Sequence, residues 1–243
     1  MLWRRRPRGV VRQGAELYNG EELEKVHAEN YKLLRQLGFR PAKWLGPWPS
    51  QNVRPAQEIL ARTMCLQAVT LWCSHGADQF SDKAISDFVE GNSLRESMTA
   101  EELDAISESR SESVSLFGDT IGWKIENIWP LVWVLGGEPA PSVSSGMIDR
   151  DTTLGIFEFL PALDESMGTS LSKINLRSRR EVVAMHDLFY YAHNAVREAQ
   201  VGRPGVPKSF DPIADGGTVH ERRHALTWCL SPGVSWDDTE LST

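Results

Sequence analysis

Little in this chain names a chemistry. Its 243 residues include three cysteines, Cys65, Cys73 and Cys229, and no two of them form a CxxC pair. Cys65 and Cys73 fall on one expected helix, roughly 12 Å apart along its axis, beyond disulfide reach. An odd number of core-type thiols fits a reducing compartment, so a cytoplasmic location is expected. The longest apolar run, IWPLVWVL, has eight residues, where about 20 are needed to span a bilayer, and no membrane partner is expected. No apolar stretch follows the opening arginines, so neither a secretory nor a twin-arginine signal is read there. A phosphate-binding loop, a dinucleotide fingerprint and a cysteine in a nucleophile motif are also missing. Alternating strand patterns and internal repeats are absent, which leaves an all-α fold: a single multi-helix domain, with scope for two helical lobes.

Positive charge is scarce in the body of the chain. Acidic residues outnumber basic ones, 33 to 26, for a net charge of −7. Five of the 26 crowd the start as Arg4, Arg5, Arg6, Arg8 and Arg12; setting them aside leaves 21 against 33, a body near −12. Such a body repels a phosphate backbone, so no duplex nucleic acid is expected as a partner. Residues 1–19 are read as a basic, disordered arm and residues 20–243 as the helical domain, whose 41% hydrophobic content is ample for a packed core.

Helical signals are plentiful. GEELEKVHAENYKLLRQLGF puts Leu23, Val26, Leu33, Leu34 and Leu37 near one face and ends at Gly38. A Trp- and Pro-rich loop precedes PAQEILARTMCLQAVTLWCSHG, a long helix opened at Pro55 and closed by Gly76. Thr99 with Glu102, and Ser178 with Glu181, have the spacing of capping boxes. In GWKIENIWPLVWVLGG, Pro130 should kink or split the helix, since proline removes a backbone bond and clashes with the preceding turn. GGEPAPSVSSG is the strongest linker signal, placing a lobe boundary near residues 136–150. Asp151 or Thr152 could start a helix through TTLGIFEFLPAL, and the last helix should run from about Thr218 to Leu230.

That last helix carries HERRH, residues 220–224, which fits H-E-x-x-H. In zinc hydrolases two histidines one turn apart hold the metal while the glutamate works on its bound water. His220 and His224 share a face of the expected helix. A third ligand is harder to find: the long form of the motif needs a histidine where Leu230 stands, leaving Asp237, Asp238 and Glu240. Arg222 and Arg223 would bring two guanidinium charges beside a dication and weaken its binding. Glu221 also completes a capping box with Thr218. No cofactor is therefore expected; zinc through His220, Glu221 and His224 is the alternative.

On the preceding helix His186, Tyr190, His193 and Arg197 form one stripe, and Asp187, Tyr191 and Asn194 a second beside it. They could wall a pocket, with His193 and Arg197 facing Glu221 and Asp237, or form a partly solvated face with satisfied core histidines. Of nine tryptophans, Trp44 and Trp48, flanked by Pro41, Pro47 and Pro49, are the candidates for an exposed contact.

The order of these segments resembles a mostly bacterial, helical family, the domain of unknown function family 4272. RPAQEILARTMCLQAV, WKIENIWPLVWVLG, LRSRREVVAMHDLFYYAHNAVREA and ERRHALTWCLSPGVSWDDTELST carry the likeness, from about Glu22 onward. Matching positions are Trp123, Glu126, Trp133, Arg177, Asp187, Tyr190, His193, Arg197, Glu221, Arg222, Trp228, Asp237 and Asp238. Tyr191, Asn194 and Arg223 depart from the pattern, and His220 and His224 fall at variable positions. The resemblance implies a helical fold with an ion-pair cluster, Glu221 and Arg222 of the last helix against Asp187, His193 and Arg197 of the one before. It brings no assigned activity.

Two readings follow. One is a domain that binds a protein partner in a groove between the last two long helices and the Trp/Pro loop, with Glu126, Arg177, Asp187, His193, Arg197, Glu221, Arg222, Trp228, Asp237 and Asp238 as binding or structural residues. The other is a hydrolase whose acid and base are Glu221 and His193, with or without zinc.

Overall fold

Every side chain from Ile59 to Cys73 is buried, and this unbroken run makes the second helix the axis of the fold. The computed structural model describes residues 17–46, 48 and 50–242. Among them run α1 (Gly20–Gln36), α2 (Ala56–Ser74), α3 (Asp82–Gly91), a 3-10 turn (Leu94–Ser97), α4 (Ala100–Ser107), α5 (Arg110–Val134), α6 (Arg150–Phe159), α7 (Met167–Leu171), α8 (Arg179–Gln200) and α9 (Ala214–Cys229), and no strand. The architecture is all-α, as the missing strand patterns implied. No described helix is long and apolar enough to cross a membrane.

A helix apolar on all sides must be enclosed on all sides. Helices α3, α4, α5 and α7 and the 3-10 turn surround α2. From there the long helices pack in sequence: α5 on α2, α9 on α5, α8 on α9 and α1 on α8. Helix starts are set locally. The Thr99/Glu102 and Ser178/Glu181 boxes both form, and Asn19/Glu22 and Ser109/Glu112 add two more.

Several expectations need correction. Helix α5 runs through Pro130 unsplit; residues 126–135 are buried, and packing against α2 and α9 holds the helix where one backbone bond is missing. Helix α6 starts at Arg150, capped by Asp149, which accepts from the Thr152 amide at 2.8 Å. Helix α1 does not bury the leucine face, since Leu33 and Leu37 are exposed. It is turned so that His27, Asn30 and Leu34 face inward, because Asp187 and the Ala184 carbonyl of α8 hold His27 and Asn30.

The basic arm read from the sequence spans residues 1–19. Residues 17–19 belong to the fold: the Tyr18 amide donates to Gln51 Oε1 at 2.8 Å and Asn19 caps α1, while residues 1–16 lie outside the described residues. The segment 136–150 is strapped down rather than loose. Trp129 Nε1 donates to the Pro139 carbonyl at 2.8 Å, and Arg222 of α9 donates to the carbonyls of Ser142 and Gly146, each at 2.6 Å. One hydrophobic core continues across it, containing Ile128 and Val132 on one side and Val182, Phe189 and Leu226 on the other.

Candidate functional site

Helix α9 begins one turn earlier than the sequence suggested. Asp211 Oδ1 accepts from the amides of Ile213 and Ala214, at 2.7 and 3.0 Å, and starts the helix there. Thr218 thus sits inside it, its hydroxyl donating to the Asp215 carbonyl, and the expected Thr218/Glu221 capping box does not form. Glu221 Oε2 instead accepts from Asn127 Nδ2 at 2.9 Å.

Arg222 and Arg223 leave α9 in different directions, and both are fully buried. Arg222 turns to α5. Its Nε and Nη2 both reach Glu126 Oε2, at 2.8 and 2.6 Å, while Glu126 Oε1 accepts from the Ile148 amide at 2.8 Å. The guanidinium also stacks 4.6 Å from the Trp129 ring centre. With every charged edge met, this pair is a structural clamp between α5, α9 and the segment after α5.

Arg223 turns to α8 and has no carboxylate at ion-pair distance among the described residues. Its Nη1 donates to His193 Nδ1 and, at 2.8 Å, to the Leu241 carbonyl; Nη2 reaches the Ser242 carbonyl at 3.1 Å. Its Nε is buried with no acceptor. Tyr190 supplies a ring 4.8 Å from the guanidinium carbon. Burial pulls the Arg223 pKa down to about 10, against the opposing pull of Tyr190 and of Glu240 in the tail.

Because arginine can only donate, His193 Nδ1 must accept, and its proton sits on Nε2. That N–H then points at His220 Nδ1, 3.2 Å away. A directed chain results, from buried Arg223 through His193 to His220 at the surface. Burial and the Arg223 charge bring His193 down to about 2, so it is neutral at pH 7. His186, fully enclosed, is lowered to about 3 by burial and then by Arg223. His186 Nε2 meets Thr227 Oγ1 at 3.0 Å, but among the described residues Nδ1 has no partner, nor has Trp48 Nε1. Trp48 lies 5.2 Å from His186 and 5.7 Å from Tyr190, ring centre to ring centre. Buried polar atoms without partners cost about 1–3 kcal/mol each, and here three meet around Tyr190.

The tail, residues 231–242, lies along α9. Arg54, just before α2, gathers its first part by donating to the Ser231 carbonyl at 2.6 Å and to the Val234 carbonyl. Trp236 is the anchor: its ring sits 4.5 Å from the Arg62 guanidinium carbon, 5.4 Å from Trp228 and 4.4 Å from His224. His224 Nε2 donates to the Trp236 carbonyl at 3.0 Å. The remaining residues, Asp237, Asp238, Thr239 and Glu240, lead to the Leu241 and Ser242 carbonyls on Arg223.

The residues expected to form one ion-pair cluster therefore separate. Asp187 faces α1, accepting from His27 Nδ1 at 2.7 Å and Asn30 Nδ2 at 2.9 Å. Tyr191 and Asn194 of the same stripe also face that way, to His27 and the Ala42 amide. Arg177 ties the end of α5, donating to the Trp133 and Gly137 carbonyls at 3.3 and 3.1 Å and pairing with Glu138. Arg197 is exposed and bonds Gln200; it does not face Glu221 or Asp237. Asp237 and Asp238 are exposed, and Asp238 accepts from Ser235. Trp228 is buried beneath Arg54, 4.1 Å from its ring centre.

His220 and His224 serve different neighbours, and no hydrogen bond joins Glu221 to His193. Among the described residues no three His, Cys, Asp or Glu side chains converge as a ligand set. Trp44 is 75% exposed, as its setting suggested, whereas Trp48 is packed on α8. Arg54, Arg62, His27 and Arg223 were missed as organising residues; each acts on groups far away in sequence, and only an unusual density of arginine beside tryptophan hinted at them.

An all-α protein whose last two long helices frame a polar, arginine-centred seat is the class these observations define. Residues 27–239 match the family described as Domain of unknown function (DUF4272), and the chain belongs to it. Neither a curated protein nor a solved structure matched.

Proposed function

We propose that the protein is a non-catalytic binding module that takes an acidic segment of a partner protein along α9, from Arg62 of α2 to Arg223 beside α8. The observation that carries this reading is that the face already holds such a segment in cis. Residues 236–242, WDDTELS, turn once after Trp236, where the Thr239 amide donates to the Trp236 carbonyl at 3.4 Å, and then run without regular structure from that tryptophan anchor to a buried arginine. Short segments recognised through an aromatic anchor and main-chain acceptors are a recurring mode of peptide binding. Against the hydrolase alternative, Glu221 is engaged by Asn127, and His193 accepts from Arg223 and offers its remaining N–H to His220. Three buried, unpaired thiols support a reducing location such as the cytoplasm.

The test is trans binding of a labelled peptide with the sequence of residues 234–242, followed by fluorescence anisotropy. A covalently linked tail competes at an effective concentration near millimolar, so the wild-type chain should bind weakly. Trp236→Ala weakens the resident tail and should tighten peptide binding about tenfold or more, with a rise in Tm on peptide addition. A folded Trp236→Ala chain that still ignores the peptide would sink the reading.

A further inference from the structure

Arg222 supplies the template for what Arg223 lacks. The edge formed by Nε and Nη2 is the one Arg222 gives to the Glu126 carboxylate, at 2.8 and 2.6 Å. Among the described residues, the same edge of Arg223 holds a single neutral acceptor, the Ser242 carbonyl on Nη2 at 3.1 Å, and its Nε has none. The guanidinium is otherwise fixed: His193 Nδ1 accepts from Nη1, and Tyr190 covers one face. It is a preorganised fork with one tine empty and the other on a weak, uncharged partner. Arginine forks match carboxylates in two parallel bonds, and charge-assisted bonds are roughly twice as strong as neutral ones.

We propose that Arg223 is the specificity residue of the binding face and that it selects a partner segment by a carboxylate, seated on its Nε–Nη2 edge in place of the Ser242 carbonyl. This rests on the peptide-binding reading above. The tail is then a resident stand-in with matching anchor and path that brings a main-chain carbonyl, that of Ser242, where the partner brings a carboxylate. Trp236 and the Arg54-held residues before it keep the tail in register, while the last residues are held by Arg223 through two neutral carbonyls, Leu241 at 2.8 Å and Ser242 at 3.1 Å, which a carboxylate can outcompete. Three features favour a partner segment over a free anion. The path leading to Arg223 is that of a chain, its anchor is an indole pocket, and the tail's carbonyls already define a polypeptide direction.

The experiment uses the full chain and the peptide acetyl-SWDDTELS in two forms, free acid and C-terminal amide, with sodium acetate as a third probe. In the free acid the terminal carboxylate falls where Arg223 now holds the Ser242 carbonyl. The acid should bind about tenfold more tightly than the amide. Arg223→Lys keeps the charge but loses the fork, and should reduce that ratio to less than about threefold. Hydrogen exchange at Leu241 and Ser242 of the resident tail should quicken with the acid while α9 stays protected. Equal binding of acid and amide, or an unchanged ratio in Arg223→Lys, overturns the carboxylate proposal and leaves the groove reading standing. Absence of binding by both forms, to wild type and to Trp236→Ala alike, removes the groove reading and this proposal with it. Acetate that displaces the tail at the concentrations at which the peptide acts also overturns it, because the seat would then be one for a free anion.

Discussion

Arg222 and Arg223 are neighbours in α9, both enclosed by protein, and among the described residues only Arg222 meets a carboxylate. The contrast makes a stability prediction. Arg222→Met leaves Glu126 charged, buried and unpaired, and should destabilise by about 3–5 kcal/mol in denaturant unfolding. Arg223→Met strands no carboxylate and should cost less than half as much. Restoring apolar balance with Glu126→Leu in the Arg222→Met background should recover most of the loss. Equal losses in the two single variants would show that Arg223 is as structural as Arg222.

The His27 site predicts a loss of stability on the alkaline side. Burial lowers the affinity of this imidazole for its second proton, but the hydrogen bond and charge of Asp187 outweigh it, and the net shift is upward. Both ring nitrogens face acceptors, Asp187 Oδ1 at 2.7 Å and the Leu45 carbonyl at 2.8 Å, so the site suits the imidazolium. A raised pKa gives stability that is fully present below the unfolded value near 6.5 and is lost as pH rises through the folded one. Unfolding free energies between pH 6 and pH 9 should fall less steeply in His27→Gln than in wild type; parallel slopes would refute this.

On the acid side the sign reverses. His186, His193 and His224 are held to about 3, 2 and 4, in each case first by burial. The unfolded chain takes up protons near pH 6.5 that the folded chain refuses, so their contribution is complete above that pH and declines below it. Wild type should lose stability steadily from pH 6.5 to pH 4. His224→Asn, which can still donate toward the Trp236 carbonyl, should show a shallower decline.

HERRH itself makes a prediction about metal. His224 has its Nε2–H on the Trp236 carbonyl and His220 faces His193, so the two imidazoles answer to different partners. Untagged protein, analysed by mass spectrometry of bound metals, should carry no stoichiometric zinc, and His220→Ala should leave Tm unchanged. One zinc per chain, lost in His220→Ala with His224→Ala, would reinstate the metal reading.

Features written in adjacent letters were legible from the sequence. The Thr99/Glu102 and Ser178/Glu181 boxes span one turn each, and local chemistry decides them. The face of α1 was misjudged because polar groups on α8, Asp187 and the Ala184 carbonyl, outweighed two leucines that spacing alone would bury. The Thr218 box was misplaced because Asp211, seven residues upstream, takes the capping role. For the site, the two stripes on α8 were visible but not their destinations. Adjacent residues on a helix point about 100° apart, so Asp187 serves α1 while His186 serves α9. The unequal fates of Arg222 and Arg223 have the same cause, and no pattern of letters distinguishes them.

The tail is fastened at Trp236, and six described residues follow it. At about 3.3–3.6 Å per extended residue, that is a leash of roughly 20 Å once Arg223 lets go. So short a leash keeps a displaced tail close to its seat and lets it return quickly when the seat empties.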